Sequence, residues 1–456
     1  MRLYALLRPL TREERAVEMA LAPNDLVGRD AERGDLHAAF HQVSTPSRPL
    51  TDPPPERGVS AAPPGLVPSS PTARGQLGSR LLIGEMGIGK TALLSSFVAE
   101  LPRETRILNV ECSPVKSDIP LATLCDLLRE ATGVGADHSL TEASAVFRGI
   151  LSPLPLKQGS TERIVQRLAE VATGKQEAPV EDEAGHYRRD LLLLAVRVFL
   201  GAIALEHPLV VVLDGLQWAE RSSLELVQEL LRREETMPIL VLLATRPDER
   251  VAPFIEGLVR IELRGLSPEE QVRLVESRLG VREGVAPMIG DLLPRVAGNP
   301  FFLLEMVDAL LERGTLEIIE REGGRHELRR NERPKDGGVE PLPSTLEQLI
   351  GDRLRELPTA EHDVVDWLAV AGGPLVESTL LELMHASDDQ SIGRLCARGV
   401  CDRRAGVVDF RHPLARDVAY KALDPSNKKR MHRLLGEHLA QTPLASGLSA
   451  AIVARH

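Results

Sequence analysis

The sequence predicts an α/β fold in which a parallel sheet with flanking helices precedes further helices and a smaller C-terminal module. Short apolar runs alternate with helical periodicity between residues 80 and 265, and this alternation is typical of parallel strands joined by crossover helices. After Pro268 only helical patterns continue, and two short strands join them beyond residue 399. With 456 residues, the chain is long enough for about three domains.

Each predicted strand is a short apolar run between polar or turn-forming residues. The run at 209–213 is mostly β-branched, which is typical of a strand covered on both faces. The run at 191–205 contains Arg197 and is shorter than the ~20 residues that span a bilayer, so it predicts a buried helix. We expect strands at 80–83, 106–110, 209–213, 239–244 and 259–263, with helices at 90–101, 121–128 and 222–233.

Composition excludes several classes of function. Hydrophobic residues make up 43% and charged residues 27%, as in globular proteins. The net charge of −11 and the 3% of aromatic residues argue against a nonspecific nucleic-acid binder that stacks bases. The four cysteines lack metal-binding spacing, and the N-terminus lacks a secretory segment, so we expect a cytoplasmic protein that does not contact membranes.

One segment matches a phosphate-binding loop, G-x-x-x-x-G-K-[ST]. In such loops glycines let backbone N–H groups surround phosphates, and the helix that follows supplies partial positive charge. Lys90 is expected to bind the β- and γ-phosphates and Thr91 to bind Mg²⁺; the alternative is a glycine turn that ends a strand. The predicted nucleotide-binding residues are Gly84, Glu85, Met86, Gly87, Ile88, Gly89, Lys90, Thr91 and Ala92.

Acidic residues follow the strand at 209–213. Asp214 stands where a carboxylate can join the Mg²⁺ shell of a P-loop NTPase, although alone it reads as a turn residue. Gly215 leaves no second acid beside it, so we expect slow hydrolysis. Glu220, and less so Glu111, are candidate catalytic bases; for each the alternative is a solvated surface acid.

Arg246 follows the predicted strand at 239–244. Ligands of open α/β sheets bind at the carboxyl ends of the strands. We therefore expect Arg246 to sense the γ-phosphate as part of the catalytic set; the alternative is a surface arginine at a strand end.

The order of six motifs resembles STAND-type regulatory ATPases, which are AAA-related P-loop proteins. Over residues 26–440 the chain is most similar to the AAA ATPase domain of large LuxR-type regulators and of multidomain kinase or nucleotide-cyclase sensors. The loop motif is specific, whereas the others gain weight from their order. The motifs are Val27-Gly28-Arg29-Asp30, the loop at 84–91, Leu-Asp-Gly-Leu-Gln-Trp-Ala-Glu at 213–220, Ala-Thr-Arg-Pro at 244–247, Gly-Asn-Pro-Phe at 298–301 and Phe-Arg-His-Pro-Leu at 410–414.

The resemblance implies that ATP or ADP, with Mg²⁺, is held between domains. It implies that Val27 and Arg29 lie near the adenine, that Pro300 packs near the base from a helical lid, and that His412 approaches the ADP phosphate. Without it, residues 298–300 read as a helix stop and restart, and His412 as a core histidine. ADP would close the lid and ATP·Mg²⁺ would open it for signalling or self-association.

Two features depart from the family pattern. Gly215 replaces the usual second acid, and a proline-rich insertion at 44–79, for which a docking site is the alternative to a flexible segment, is longer than expected. We expect partners through flanking modules, because the chain ends where relatives begin a helical-repeat sensor. The predicted division is an N-terminal linker at 1–26, a P-loop NTPase domain at 27–265, an all-helical lid at 266–340, a winged-helix-like domain at 341–440 and the start of a truncated helical region at 441–456.

Two other classes of function stay open. An origin-recognition-like ATPase would use the winged helix to bind DNA, but residues 344–440 contain 13 basic and 15 acidic side chains, which makes direct DNA binding unfavourable. A small-molecule P-loop kinase is the third class, and the long C-terminal half argues against it.

Overall fold

The computed structural model describes residues 26–44, 77–112, 116–117, 119–135, 138–175, 183–232, 237–321, 325–331, 345–385, 389–404, 406–411 and 413–441. His412 and segment 442–456 lie outside these residues, as do nearly all of the predicted linker at 1–26 and of the proline-rich insertion at 44–79.

The centre of the N-terminal half is a five-stranded parallel sheet in the order β2-β3-β4-β1-β5. This architecture confirms the predicted α/β class. The loop after β1 and the end of β3 emerge at the same edge of the sheet with β4 between them. The strands are β1 (Gly78–Ile83), β2 (Arg106–Glu111), β3 (Leu209–Asp214), β4 (Ile239–Thr245) and β5 (Arg260–Glu262).

Alternate residues of the central strands face opposite sides of the sheet, as the period of two requires. Helices α1 (Asp30–Ser44) and α2 (Lys90–Glu100) cover one side, where Phe40 and Phe97 pack edge to face with their ring centroids 6.5 Å apart. The helices between β2 and β3 cover the other side. The sheet is therefore buried on both faces, which explains the continuous apolar runs.

The described residues between β2 and β3 form four helices. The sequence predicted the first and the last of them, and α4 begins at a capping box formed by Ser139 and Glu142. None of the described helices is both long and apolar enough to span a bilayer. The four are α3 (Ala122–Thr132), α4 (Leu140–Leu151), α5 (Gln158–Thr173) and α6 (Glu183–Ile203); α7 (Arg221–Arg232) follows β3.

A group of helices follows β5. The group comprises α8 (Pro268–Leu279), α9 (Val285–Ile289), α10 (Leu293–Val296) and α11 (Pro300–Glu312). Two short helices, α9 and α10, stand between the first and last helices of this group, because the chain breaks around Gly290 and Pro294 lies in the first turn of the second.

Strands do not cease after Pro268, and the expectation of an all-helical lid is wrong. After α11, β6 (Leu316–Arg321) and β7 (Arg325–Arg330) form an antiparallel hairpin. Only Leu316 and Leu328 of its described side chains are buried. Because charged pairs such as Glu317 and Arg329 face each other across the strands, the apolar alternation that announces a strand is weak.

The C-terminal module combines helices with a small antiparallel sheet in the order β8-β10-β9. The two-residue strand β8 was not predicted. Its core is continuous with that of the preceding helices, from Val275 to Leu435. The elements are α12 (Leu346–Arg355), α13 (Thr359–Ala371), β8 (Leu375–Val376), α14 (Glu377–Leu383), α15 (Gln390–Ala397), β9 (Cys401–Arg404), β10 (Val407–Phe410), α16 (Pro413–Ala422) and α17 (Pro425–Gln441).

Candidate nucleotide-binding site

The segment 84–89 connects β1 to α2 and has the backbone of a loop that wraps around a ligand. Gly87 and Gly89 have φ values of +76° and +101°, a region that other L-residues avoid. A Cβ on Gly89 would meet no atom within 4 Å, so conformation rather than crowding requires glycine there. Gly89 directly precedes α2, whose N-terminal amides therefore face the loop.

Lys90 is held by the loop itself. Its Nζ donates hydrogen bonds to the carbonyl oxygens of Gly84 at 2.6 Å and Glu85 at 2.9 Å. Burial lowers the pKa of Lys90 to about 8, while the charge of Asp214 acts in the opposite direction. A phosphate at this position would offset the lost hydration of the ammonium group.

Thr91 and Asp214 bring two oxygen ligands together from α2 and β3. The Thr91 hydroxyl donates to Asp214 Oδ2 at 2.6 Å. Burial raises the pKa of Asp214, and the bond from Thr91 and the charge of Lys90 oppose that rise. Hydroxyl and carboxylate oxygens fit Mg²⁺. In the described part of the chain no group of three or more His, Cys, Asp or Glu side chains forms a metal site.

Glu111 is the register partner of Asp214 on the neighbouring strand. Its side chain is exposed, yet the surrounding protein and the charges of Asp214 and Asp409 raise its pKa to about 6, against the charge of Arg416. Two carboxylates therefore stand side by side where β2 and β3 end.

Glu220 contacts the start of α3. Its carboxylate accepts hydrogen bonds from Thr123 Oγ1 at 2.9 Å and Thr123 N at 3.3 Å. The side chain is only 6% exposed, and burial raises its pKa. Among the described residues no hydrogen bond joins Glu220 to the loop at 84–91, so its position favours anchoring α3.

Gln217, which was not among the predicted site residues, connects the segment after β3 to the end of β4. Gln217 is buried, and its Oε1 accepts from Arg246 N at 3.3 Å and Thr245 Oγ1 at 3.4 Å. Arg246 stands at the end of β4; burial lowers its pKa, and the charge of Asp417 in α16 raises it. The signal for Gln217 was its place three residues after Asp214, within the motif at 213–220.

The family comparison agrees with this geometry. Residues 69–242 match the AAA ATPase domain family. The matched segment contains the phosphate loop and the strands β1 to β3. The predicted AAA-related P-loop class is thus confirmed, and nucleotide binding is the property that this class shares. Residues 267–325, which cover α8 to β6 of the helical group, match a domain of unknown function.

A curated relative from Rhizobium meliloti, an uncharacterized protein, is 25% identical over 402 residues. The alignment covers 83% of this chain and 36% of that protein, so the chain spans about a third of the relative's length.

Solved structures resemble the chain only loosely. They include a STAND protein with a tetratricopeptide repeat sensor from Pyrococcus horikoshii, at TM-score 0.47 and 13% identity over 83% of this chain and 45% of that one. A Walker-type ATPase of Pyrococcus abyssi has TM-score 0.35 and 12% identity over 88% and 99%. A RuvB variant of Thermotoga maritima has TM-score 0.30 and 12% identity over 89% and 96%. At these scores the likeness carries no argument about individual residues.

Arg29 joins the phosphate loop to the segment after β5 through hydrogen bonds. The side chain is 5% exposed and donates to Ile88 O at 2.9 Å, Arg264 O at 2.7 Å and Glu32 Oε1 at 3.2 Å. These partners are protein atoms. Val27, two residues earlier, is half-buried; an adenine contact by either residue stays a prediction.

The N-terminus of α11 rests on the phosphate loop. Asn299 caps the helix by accepting from Phe302 N at 3.1 Å, and its Nδ2 donates to Met86 O at 2.7 Å. Phe301 N donates to Gly87 O at 3.3 Å. A Cβ on Gly87 would lie 2.9 Å from Asn299 Oδ1, so glycine permits this approach. Pro300 is the half-buried first residue of α11.

The C-terminal module also reaches the edge of the ATPase sheet. The charge of Asp409 in β10 raises the pKa of Glu111. In α16, the charge of Asp417 raises the pKa of Arg246 and that of Arg416 lowers it. Arg416 donates to Gly372 O at 3.2 Å. His412, predicted to approach the ADP phosphate, lies outside the described residues, between Arg411 and α16.

Proposed function

We propose that the chain is a slow regulatory ATPase of the STAND type that switches between an ADP-bound closed state and an ATP·Mg²⁺-bound open state. The observation that carries the proposal is the pair of hydrogen bonds from Asn299 and Phe301 to the carbonyl oxygens of Met86 and Gly87. Because these two hydrogen bonds join α11 to the loop, a change in the conformation of the loop would move α11. Opening of α11 would break both bonds.

The proposed roles of the site follow from the geometry. Lys90 and the loop at 84–92 bind the phosphates, and Arg246 senses the γ-phosphate from the end of β4. Thr91 and Asp214 hold Mg²⁺, which supplies charge neutralisation and orientation of the phosphates. Val27, Arg29, Pro300 and His412 are proposed to contact the nucleotide as the family resemblance implies.

The parts that move are proposed to be the helical lid at 266–340 and a winged-helix domain at 341–440, relative to the NTPase domain at 27–265. The run α13-β8-α14-α15-β9-β10 has the helix, strand, two helices and hairpin of a winged helix, which supports the second assignment. A ligand shifts such an equilibrium only by binding the two states with different affinity.

The output is proposed to be signal transduction or transcription regulation in a larger cytoplasmic protein. The chain covers only 36% of its Rhizobium meliloti relative, which supports a role for flanking modules as partners. Self-association in the ATP state belongs to the same proposal.

A matched pair of titrations tests the switch. ATP·Mg²⁺ and ADP are titrated into the same protein, with the hydrodynamic radius measured at saturation and phosphate release followed without an acceptor. We expect different affinities for the two nucleotides, a smaller radius with ADP and phosphate released to solvent. Equal affinities with one unchanged radius would refute the switch, and a phosphorylated small molecule would indicate a kinase.

A further inference from the structure

Gly215, which follows Asp214 directly, has a backbone conformation that an acidic residue would adopt only with strain. Gly215 has φ +77°, and a Cβ there would lie 3.1 Å from the carbonyl oxygen of Cys112. A glutamate or aspartate at this position would be strained both in conformation and in contact. An acid that acts on the attacking water must therefore come from another element.

Strand β2 supplies such an acid. Glu111 pairs in register with Asp214, and residues paired between parallel strands point to the same face, roughly 4.8 Å apart. Asp214 in turn accepts from Thr91 beside the phosphate loop. The last residue of β2 thus stands one strand spacing from the expected Mg²⁺ ligand, on the ligand edge of the sheet.

The Glu111 carboxylate is accessible to water. Its side chain is exposed, and no hydrogen bond to its carboxylate is found within the described ranges. Glu220 differs in both respects, because it is buried and bonded to the N-terminus of α3.

We infer that Glu111 is the catalytic residue that orients the attacking water and accepts its proton; this rests on the proposed ATPase function. The water oxygen forms a bond to the γ-phosphorus, and the bond from that phosphorus to the β–γ bridging oxygen breaks with its electron pair leaving on ADP. The proton passes from water to Glu111 and then to solvent. The products are ADP and inorganic phosphate.

The test compares Glu111→Gln with Glu220→Gln in single-turnover hydrolysis of Mg-ATP. We expect Glu111→Gln to hydrolyse roughly 100-fold more slowly than wild type and to bind Mg-ATP with wild-type affinity. The hydrolysis rate of Glu220→Gln, normalised to the molecules that bind nucleotide, is expected to stay within about fivefold of wild type. Loss of a general base would slow hydrolysis by more than that. Hydrolysis by Glu111→Gln at the wild-type rate overturns the inference and leaves the ATPase proposal intact.

A second variant separates chemistry from folding. Glu111→Ala removes the carboxylate, and added formate is expected to restore part of its hydrolysis without changing its affinity for Mg-ATP. Formate that stimulates Glu220→Gln equally, or leaves a nucleotide-binding Glu111→Ala inactive, contradicts the assignment. A wild-type protein that binds Mg-ATP but releases no phosphate refutes the ATPase proposal itself.

Discussion

Lys90 and Arg29 both donate hydrogen bonds to backbone carbonyl oxygens at the phosphate loop, but a bound nucleotide would affect these bonds differently. Lys90 donates to two loop carbonyls, which a phosphate would replace as its partners. Arg29 instead donates behind the loop to Ile88 and Arg264. Lys90 is thus suited to bind phosphate, whereas the guanidinium of Arg29 stabilises the loop.

Arg29→Ala is expected to weaken both the fold and the site. The change leaves the carbonyl oxygens of Ile88 and Arg264 without this donor in a buried setting, so the free energy of unfolding should fall by about 2 kcal/mol. Affinity for Mg-ATP, measured by titration, should fall with it. The control is Arg33→Ala in the same helix, whose exposed pairs with Asp30 and Glu100 should change stability by less than about 1 kcal/mol. Equal effects of the two variants would contradict the role of Arg29 in stabilising the loop.

Asp366 provides a pH test away from the site. Burial raises its pKa from 3.8 to about 6, so its contribution favours folding below about pH 4 and is lost as the pH rises through 6. Asp366→Asn should therefore raise the free energy of unfolding at pH 7.5 by about 1 kcal/mol, allowing for partial exposure, and by less at pH 5.

Urea unfolding followed by Trp367 fluorescence in a Trp218→Phe background measures this difference. The exposed neighbour Asp363 serves as control. Its charge adds to the rise in the pKa of Asp366, so Asp363→Asn should change stability in the same direction but by less. A stability gain from Asp366→Asn that grows toward acid pH would show the opposite sign and refute the explanation.

At the scale of elements, α11 connects the phosphate loop to the rest of the molecule. Asn299 has two roles, since its Oδ1 accepts from Phe302 N and its Nδ2 donates to Met86 O. A serine can cap the helix but cannot donate across to the loop in the same way. Substitutions at this position therefore separate helix stability from the lid contact.

Asn299→Ser and Asn299→Ala are both expected to speed release of a fluorescent ADP analogue, because both lose the bond to Met86. Only Asn299→Ala should also lose about 1 kcal/mol of stability through the missing cap, measured as a lower unfolding midpoint. If Asn299→Ser releases ADP at the wild-type rate, the Met86 bond does not hold the lid.

The sequence predicted those parts of the site that depend on contiguous residues. The loop at 84–91 and the strand that ends at Asp214 carry their own signals in residue type and apolar run. Contacts made across the fold carry no such signal. The motif at 213–220 contains Gln217, but its bond from Arg246 N and the bond from Asn299 to Met86 are visible only in the tertiary structure.

The choice between Glu220 and Glu111 shows the same limit. The sequence analysis placed Glu220 ahead of Glu111 as candidate base, but the register of β2 and β3 brings Glu111 beside Asp214. The hairpin of β6 and β7 escaped prediction for a different reason, since its charged faces hide the period of two. The sequence pattern identified individual strands and helices, but only the strand pairing showed which residues of different strands are neighbours.

For the whole molecule, the central question is whether the edge of the sheet, α11 and the C-terminal module respond to a nucleotide as a unit. The core that runs from Val275 to Leu435 joins the helical group to the C-terminal module. In that module, the charge of Asp417 raises the pKa of Arg246 and the charge of Arg416 lowers it. In the proposed switch, a change at the phosphates would reach the module both through α11 and through Arg246.

The most direct test is calorimetric titration of Mg-ATP into wild type, Lys90→Ala and Lys116→Ala. Lys116 is a matched lysine paired with Asp126 outside the loop. We expect one site per chain in wild type, the same affinity in Lys116→Ala, and an affinity at least roughly 100-fold lower in Lys90→Ala, or about 2.8 kcal/mol. Equal binding by Lys90→Ala and wild type, or no binding by wild type, would contradict the nucleotide site on which the account depends.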